Sequence, residues 1–332
     1  MAESDFHDGA NPDAGQPKRA CRGVGKYTRA LVLLIIGALL IGGVQGFRYL
    51  WLSRPVGVGP AGPAVPKGAF CEPWTKRKVL LVGIGDSITA GYGASSGHSY
   101  FERIVGNPDD EWSDMRGVCL SAVLPNLEVK NLAVSGSTSV EHVDIIRDRL
   151  PIQPLDTTGL VVMTTGGNDI IHDYGRSAPR EGAMYGATLE DARPWIESFG
   201  GRLDKMADLL EERFPGGCHI FVADIYDPTD GSGTARVIGL PSWRDGSSIH
   251  RAYNEVIRRF AAERKSVHLV PIREGFLGHG LQCRQFWRAR YRAEDPYYWY
   301  ANNFEDPNDR GYDAIRRAFL IEIAKVAPAL RR

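Results

Sequence analysis

The chain carries no surplus of either charge: of its 332 residues, 40 are Lys or Arg and 40 are Asp or Glu. A balanced chain generates no field to gather nucleic acid, and no basic stripe interrupts the pattern, so nucleic acid is excluded as a partner. Cysteine is sparse, five residues in all, and no two stand in a Cys-x-x-Cys pair. That spacing argues against a zinc site. There is no internal repeat and no second break in composition beyond residue 76. Only one long apolar run exists, residues 30–44, extended to residue 52 by a further mostly apolar stretch. Its length spans a bilayer with some tilt, and it lacks the polar face of a buried soluble helix.

The flanks of that run set an expected topology. Lys18, Arg19, Arg22, Lys26 and Arg29 precede it, which keeps the N-terminus cytoplasmic by the positive-inside rule. A polar lead of 29 residues and the lack of an Ala-x-Ala site favour an uncleaved anchor over a signal peptide, which stays the alternative. Residues 1–29 then read as a disordered cytoplasmic tail, 30–52 as a transmembrane anchor, and the rest as extracytoplasmic. Residues 53–75 are rich in Pro and Gly and read as a linker without a core, lifting the domain off the membrane. Cys71, Cys119, Cys218 and Cys283 fall on the side that permits disulfides, so one or two bridges are open, while Cys119 reads equally well as a buried thiol. Cys21 reads as a free thiol.

Residues 76–332 form one domain of adequate size for a single core, the chain being 43% hydrophobic. Short Val-, Ile- and Leu-rich runs near 78–84, 127–133, 160–165, 218–225 and 267–272 fit parallel strands buried on both faces. Helical spacing links Trp195, Phe199, Leu203, Met206 and Leu210, then Ile249, Tyr253, Ile257 and Phe260, and finally Tyr312, Ile315, Phe319, Ile323 and Val326. The alternation predicts an α/β fold, a three-layer α/β/α sandwich on a five-stranded parallel sheet. Its functional site is expected at the carboxyl ends of the strands.

Three segments close such strands. Gly85-Asp86-Ser87-Ile88-Thr89 follows the first, Asn131-Leu132-Ala133-Val134-Ser135-Gly136 the second, and Thr164-Thr165-Gly166-Gly167-Asn168-Asp169 the third. Acyl transfer needs a nucleophile, a base and donors for the developing oxyanion. A serine at the turn into a helix can supply the first, a glycine amide and an asparagine side chain the last. Singly, each segment reads as an ordinary capping turn. In order and spacing the three resemble blocks I, II and III of the SGNH, or GDSL, hydrolases. The resemblance covers about residues 78–330 and implies an ester hydrolase, esterase- or lipase-like, with nucleophile Ser87 and oxyanion donors Gly136, Asn168 and the Ser87 amide. No metal or organic cofactor is implied.

The fourth block of that family reads Asp-x-x-His-Pro-Asn. Here the matching stretch is Asn303-Phe304-Glu305-Asp306-Pro307-Asn308, with Gly311 beyond it. Asp306 takes the histidine position and Asn303 the aspartate position. Three readings follow. Asp306 serves as base, helped by burial beside Glu305 that raises its pKa. Alternatively His172, one turn past Asn168, or His279, in Phe276-Leu277-Gly278-His279-Gly280, takes the role. In extracellular family members the His279 stretch resembles one whose histidine is not the base and whose cysteine, here Cys283, is bridged. Or the fold has become a silent binding module for a glycan or acylated ligand. His98 reads as a cap or surface residue and His250 as structural. Eight aromatics between Phe286 and Phe304 read as core of a long insertion, as a sugar platform or as a membrane-interface belt. Arg288, Arg290 and Arg292 read as an anionic-headgroup site or as a solvated face.

Overall fold

A computed structural model describes residues 24–330. The expected tail is therefore outside the described residues up to position 23, and Cys21 with it. From Val24 the chain is helical: α1 is Val24–Phe47, so the helix starts ahead of the apolar run and takes in Lys26 and Arg29. Gly25–Leu52 is long and apolar enough to cross a membrane. Residues up to Tyr49 and from Leu50 onward are two separate compact units.

The second unit follows β1 (Lys78–Gly85), α2 (Ser87–Ala90), α3 (Tyr100–Val105), α4 (Leu120–Val123), β2 (Leu127–Asn131), α5 (Ser139–Arg149), β3 (Thr157–Thr164), α6 (Gly167–Ile171), α7 (Leu189–Arg213), β4 (Cys218–Ala223), α8 (Gly246–Glu263), β5 (Val267–Val270), α9 (Ile272–Phe276) and α10 (Asp309–Leu330). All strand pairs are parallel, in the order β2-β1-β3-β4-β5. Alternate side chains of β1 go to opposite faces, as the twofold period of a strand requires. Val79 and Leu81 pack with Ile315, Phe319 and Ile323 of α10. Leu80 and Val82 pack with Val143 of α5, Leu203 of α7 and Ile257 of α8. The three helical stripes predicted from spacing are the faces that build these two cores. Because β2 and β3 flank β1 on opposite sides, the chain reverses direction across the sheet there. That reversal opens a crevice at the carboxyl end of β1, where Ser87 begins α2.

The expected linker behaves otherwise. Residues 53–75 lie along the domain, with Ala61, Val65, Phe70 and Trp74 buried. The Tyr298 amide donates to the Pro55 carbonyl at 2.8 Å, and the Ala61 amide to Asp313 Oδ2 at 2.9 Å. The Arg310 guanidinium, itself paired with Asp295, donates to the carbonyls of Val56, Gly59 and Pro60. A segment without regular structure must hand its backbone polar groups to side chains when it packs, and Arg310 supplies the donors. The small residues allow close approach: a Cβ on Gly62 would sit 2.6 Å from Ala314 Cα. Nor do the cysteines among the described residues pair. Cys71, Cys119, Cys218 and Cys283 are free thiols, Cys119 and Cys283 buried and Cys71 exposed, so the bridge implied for Cys283 is not formed.

Candidate active site

Asp86 caps α2 by accepting from the Ile88 amide at 3.1 Å, and it accepts a second bond from Thr164 Oγ1 at 2.8 Å. Thr164 and Thr89 are hydroxyl-bonded at 2.8 Å, and Thr89 and Tyr100 at 2.6 Å. This buried chain fixes the first turn of α2 to the end of β3, and so fixes Ser87. Close approach is needed here too: a Cβ on Gly85 would lie 2.3 Å from the Thr164 carbonyl oxygen.

The loop after β2 carries Gly136 in the left-handed region, φ +84°, which favours glycine. No atom lies within 4 Å of where its Cβ would be, so the turn is open on that side. Asn168 Nδ2 donates to the neighbouring Ser137 carbonyl at 2.8 Å, which ties the third motif to the second. Asp169, buried beneath, accepts from the amide (2.8 Å) and hydroxyl (2.5 Å) of Ser139 and pairs with Arg202. The three strand-end segments are thus tied together at the carboxyl end of β1.

The fourth block completes the site. The buried Asp306 carboxylate accepts from Asn303 on one side, and the Ser87 side chain on the other interacts with it closely enough to hold its pKa down. Asn303 Nδ2 stands 2.6 Å from Asp306 Oδ2, and its Oδ1 accepts from the Asp306 amide at 3.2 Å. The order serine, aspartate, asparagine occupies the positions where the resembling family has serine, histidine, aspartate. Burial raises the Asp306 pKa, and the bonds from Ser87 and Asn303 hold the rise back. Two more carboxyls stand close. Asp86 is pushed to about 7 by burial, with the charge of Asp306 adding to it. Glu305 is pushed to about 7 by burial and then by the charges of Asp306 and Asp86. Three acids around one serine cannot all ionise freely.

No histidine among the described residues bonds to Ser87. His172 is partly exposed, and its Nε2 lies 3.7 Å from Asp173. His279 is buried, held by the Tyr297 carbonyl at 3.0 Å and stacked on Trp299 with centroids 3.6 Å apart. Neither candidate bonds to Ser87, and the flat ring of His279 packs on tryptophan in the insertion's core. His250 is structural as read, bonded to the carbonyls of Ile225 and Tyr226.

One histidine escaped the reading of the motifs. His142 on α5 is fully buried, its Nε2 2.8 Å from Ser137 Oγ and its Nδ1 2.8 Å from Thr165 Oγ1. Ser137 Oγ donates to the Val134 carbonyl at 2.7 Å, so it must accept from His142 Nε2–H, and Nδ1 then accepts from Thr165. Burial pushes its pKa down to about 4, so the ring is neutral and keeps this proton order. Its signal lay in the buried stripe of α5, which mixes Ser139 and His142 with Val143 and Ile146.

The model of the GDSL-like Lipase/Acylhydrolase family matches residues 84–314. Over 100 residues the chain is 28% identical to the uncharacterized protein YpmR of Bacillus subtilis, a match covering 30% of this chain and 35% of that one. Similar solved structures include an extracellular lipase from Streptomyces rimosus (17% identity, 75% of this chain, 99% of that one, TM-score 0.47). Another is phospholipase A1 from Streptomyces albidoflavus (18% identity, 75% of this chain, 99% of that one, TM-score 0.43).

Proposed function

We propose that this chain, which belongs to the GDSL-like lipase/acylhydrolase family, is a membrane-anchored serine ester hydrolase whose proton acceptor is Asp306. The observation that carries the reading is the buried Asp306 carboxylate interacting with the Ser87 side chain, with Asn303 bonded behind it and no histidine among the described residues bonded to Ser87. Ser87 attacks the acyl carbonyl as its proton passes to Asp306. The amides of Ser87 and Gly136 and the Asn168 side chain receive the oxyanion. Asp306 returns the proton to the leaving alcohol, and water then repeats the cycle on the acyl-enzyme.

An aspartate changes the electrostatics of this step. A histidine base becomes a cation beside the oxyanion; Asp306 becomes neutral, and the site's negative charge simply moves onto the substrate. Neutralising Asp306 relieves its repulsion with Asp86 and Glu305, which favours the transfer. The oxyanion then depends on its donors alone, each worth about 3–4 kcal/mol. Acylated glycans or lipids of the cell envelope are the proposed substrates, following from the anchor's extracytoplasmic topology.

The test is hydrolysis of a short-chain p-nitrophenyl ester by the purified chain beside Ser87→Ala, with fluorophosphonate labelling of Ser87. Turnover and labelling that vanish together in Ser87→Ala support the hydrolase. One observation favours a second reading, a silent binding module: the base position holds an acid weaker as an acceptor than imidazole. Absent turnover and absent labelling in the unaltered chain would select it.

Two further outcomes follow. The acid limb of kcat/KM is expected above the ordinary carboxylate range near 4, because Asp306 must be ionised and burial raises its pKa. The folded protein is not expected to fail there. Raised pKa values mean the native state holds more protons than the unfolded chain between about 4.5 and 7, so these groups add stability as pH falls through that window. Second, His142→Leu is expected to lower kcat by roughly 10²-fold through displacement of the Gly136 loop by about 1 Å. KM and the acid limb should hold, and His142→Gln should recover part of the loss. A changed acid limb would instead give His142 a proton-transfer role.

A further inference from the structure

The insertion between α9 and α10 carries Asp306 at one end and a different surface at the other. Around residues 284–292 Phe286 and Trp287 are 67% and 48% exposed and in edge contact with each other, ring centroids 5.0 Å apart. Exposed aromatics of this size are uncommon where the rest of the insertion buries Tyr298, Trp299 and Tyr300. Four arginines share the stretch, Arg284, Arg288, Arg290 and Arg292, with no acidic residue among them. Arg288 and Arg290 are exposed, Arg290 paired with Glu274 and Arg288 held by Gln285.

The position of this surface identifies what it meets. Trp287 lies against Trp51, centroids 5.4 Å apart, and Gln285 Nε2 reaches the Leu50 carbonyl at 3.5 Å. Residues 50–52 are the carboxyl end of the segment long and apolar enough to cross a membrane. We infer that residues 284–292 form a bilayer-docking element, with Phe286 and Trp287 at the headgroup level and Arg288 and Arg290 on anionic lipid phosphates. Tryptophan rings favour that interface, arginine pairs with phosphate in a fork geometry, and basic residues beside a membrane segment gain attraction to anionic lipid. Because residues 53–75 are packed onto the domain, no free spacer separates this surface from the segment's exit. The inference rests on the membrane-anchored reading above.

The experiment reconstitutes the full chain in vesicles of phosphatidylcholine, with or without phosphatidylglycerol, carrying brominated acyl chains. Trp287 emission is taken as the difference between the unaltered chain and Trp287→Ser. It should be quenched by bromines near the headgroup and shielded from aqueous iodide, more so with phosphatidylglycerol. Arg288→Ser/Arg290→Ser should remove the phosphatidylglycerol dependence. Phe286→Ser/Trp287→Ser should lose hydrolysis of a vesicle-embedded ester while keeping turnover of a soluble one. Iodide-accessible Trp287 without bromine quenching, in a chain that resists carbonate extraction, overturns the docking and leaves the anchor. If mass spectrometry shows a mature chain cleaved after the helix, the anchor fails; flotation with anionic vesicles that Phe286→Ser/Trp287→Ser abolishes then still upholds the docking. Iodide shielding in detergent together with dimer sedimentation would give the surface to a second copy and overturn it.

Discussion

Asp306→Asn lowers kcat by about 10²–10⁴-fold, the ordinary worth of a positioned base, while the fold and KM are retained. The amide has nearly the shape of the carboxylate and can still meet Ser87 and Asn303, so what is lost is the ability to take the proton. The companion variant Asp306→His/Asn303→Asp restores the serine, histidine, aspartate order on the same backbone. An imidazole has an ordinary pKa near 6.5 and becomes a cation next to the oxyanion, so this variant is expected to equal or exceed the natural rate. Steady-state kinetics on a soluble ester decide the matter. A rate unchanged in Asp306→Asn removes Asp306 as base. Activity in the double variant alone would mean a site whose donors are intact and whose base has been lost, which is the binding-module reading.

The parts of this site that could be read from the sequence are those set by local rules. Strand ends after apolar runs place Ser87, Gly136 and Asn168, because a buried parallel strand and the turn beyond it are short-range features. Asp306 and Asn303 were legible only through the spacing of Pro307, Asn308 and Gly311. What joins Ser87 to Asp306, and Asp86 to Glu305, is closure of the long insertion over the sheet, a contact between distant parts of the chain. The packing of residues 53–75 had no periodic signal at all. Arg310 and Asp313 make several of its hydrogen bonds, so part of the information lies in α10 rather than in the segment that looks like a linker. His142 was hidden for a related reason: a polar residue on a buried helical stripe gains meaning only when Ser137 and Thr165 are seen on either side of it.

The same helix α10 supports the largest expected effect on stability. Arg316 is fully buried, donating to both Glu111 oxygens at 2.5 and 2.7 Å and to Asp313 Oδ1 at 2.6 Å. Arg103 also bonds Glu111 at 2.8 Å, and Arg317 bridges Asp313 to Asp114. Burial would raise the Glu111 pKa, but Arg316 and Arg103 outweigh it and hold the carboxyl at about 2. Three arginines face three carboxylates, so the cluster is neutral only when whole. Removing one member strands a charge that cannot return to water. Arg316→Met is therefore expected to cost about 3–5 kcal/mol, whereas replacing a buried pair together is often neutral. The double variant Arg316→Met/Glu111→Gln should accordingly recover much of the loss, which gives the cycle its sign. Because Asp313 also accepts from the Ala61 amide, the loosening should spread to residues 53–61, and faster hydrogen exchange there is expected alongside the lower midpoint of denaturant unfolding. A single variant as stable as the unaltered chain would show that water reaches the cluster and that its charges are screened. Equal losses in the single and double variants would show that packing volume, not charge balance, is what Arg316 contributes.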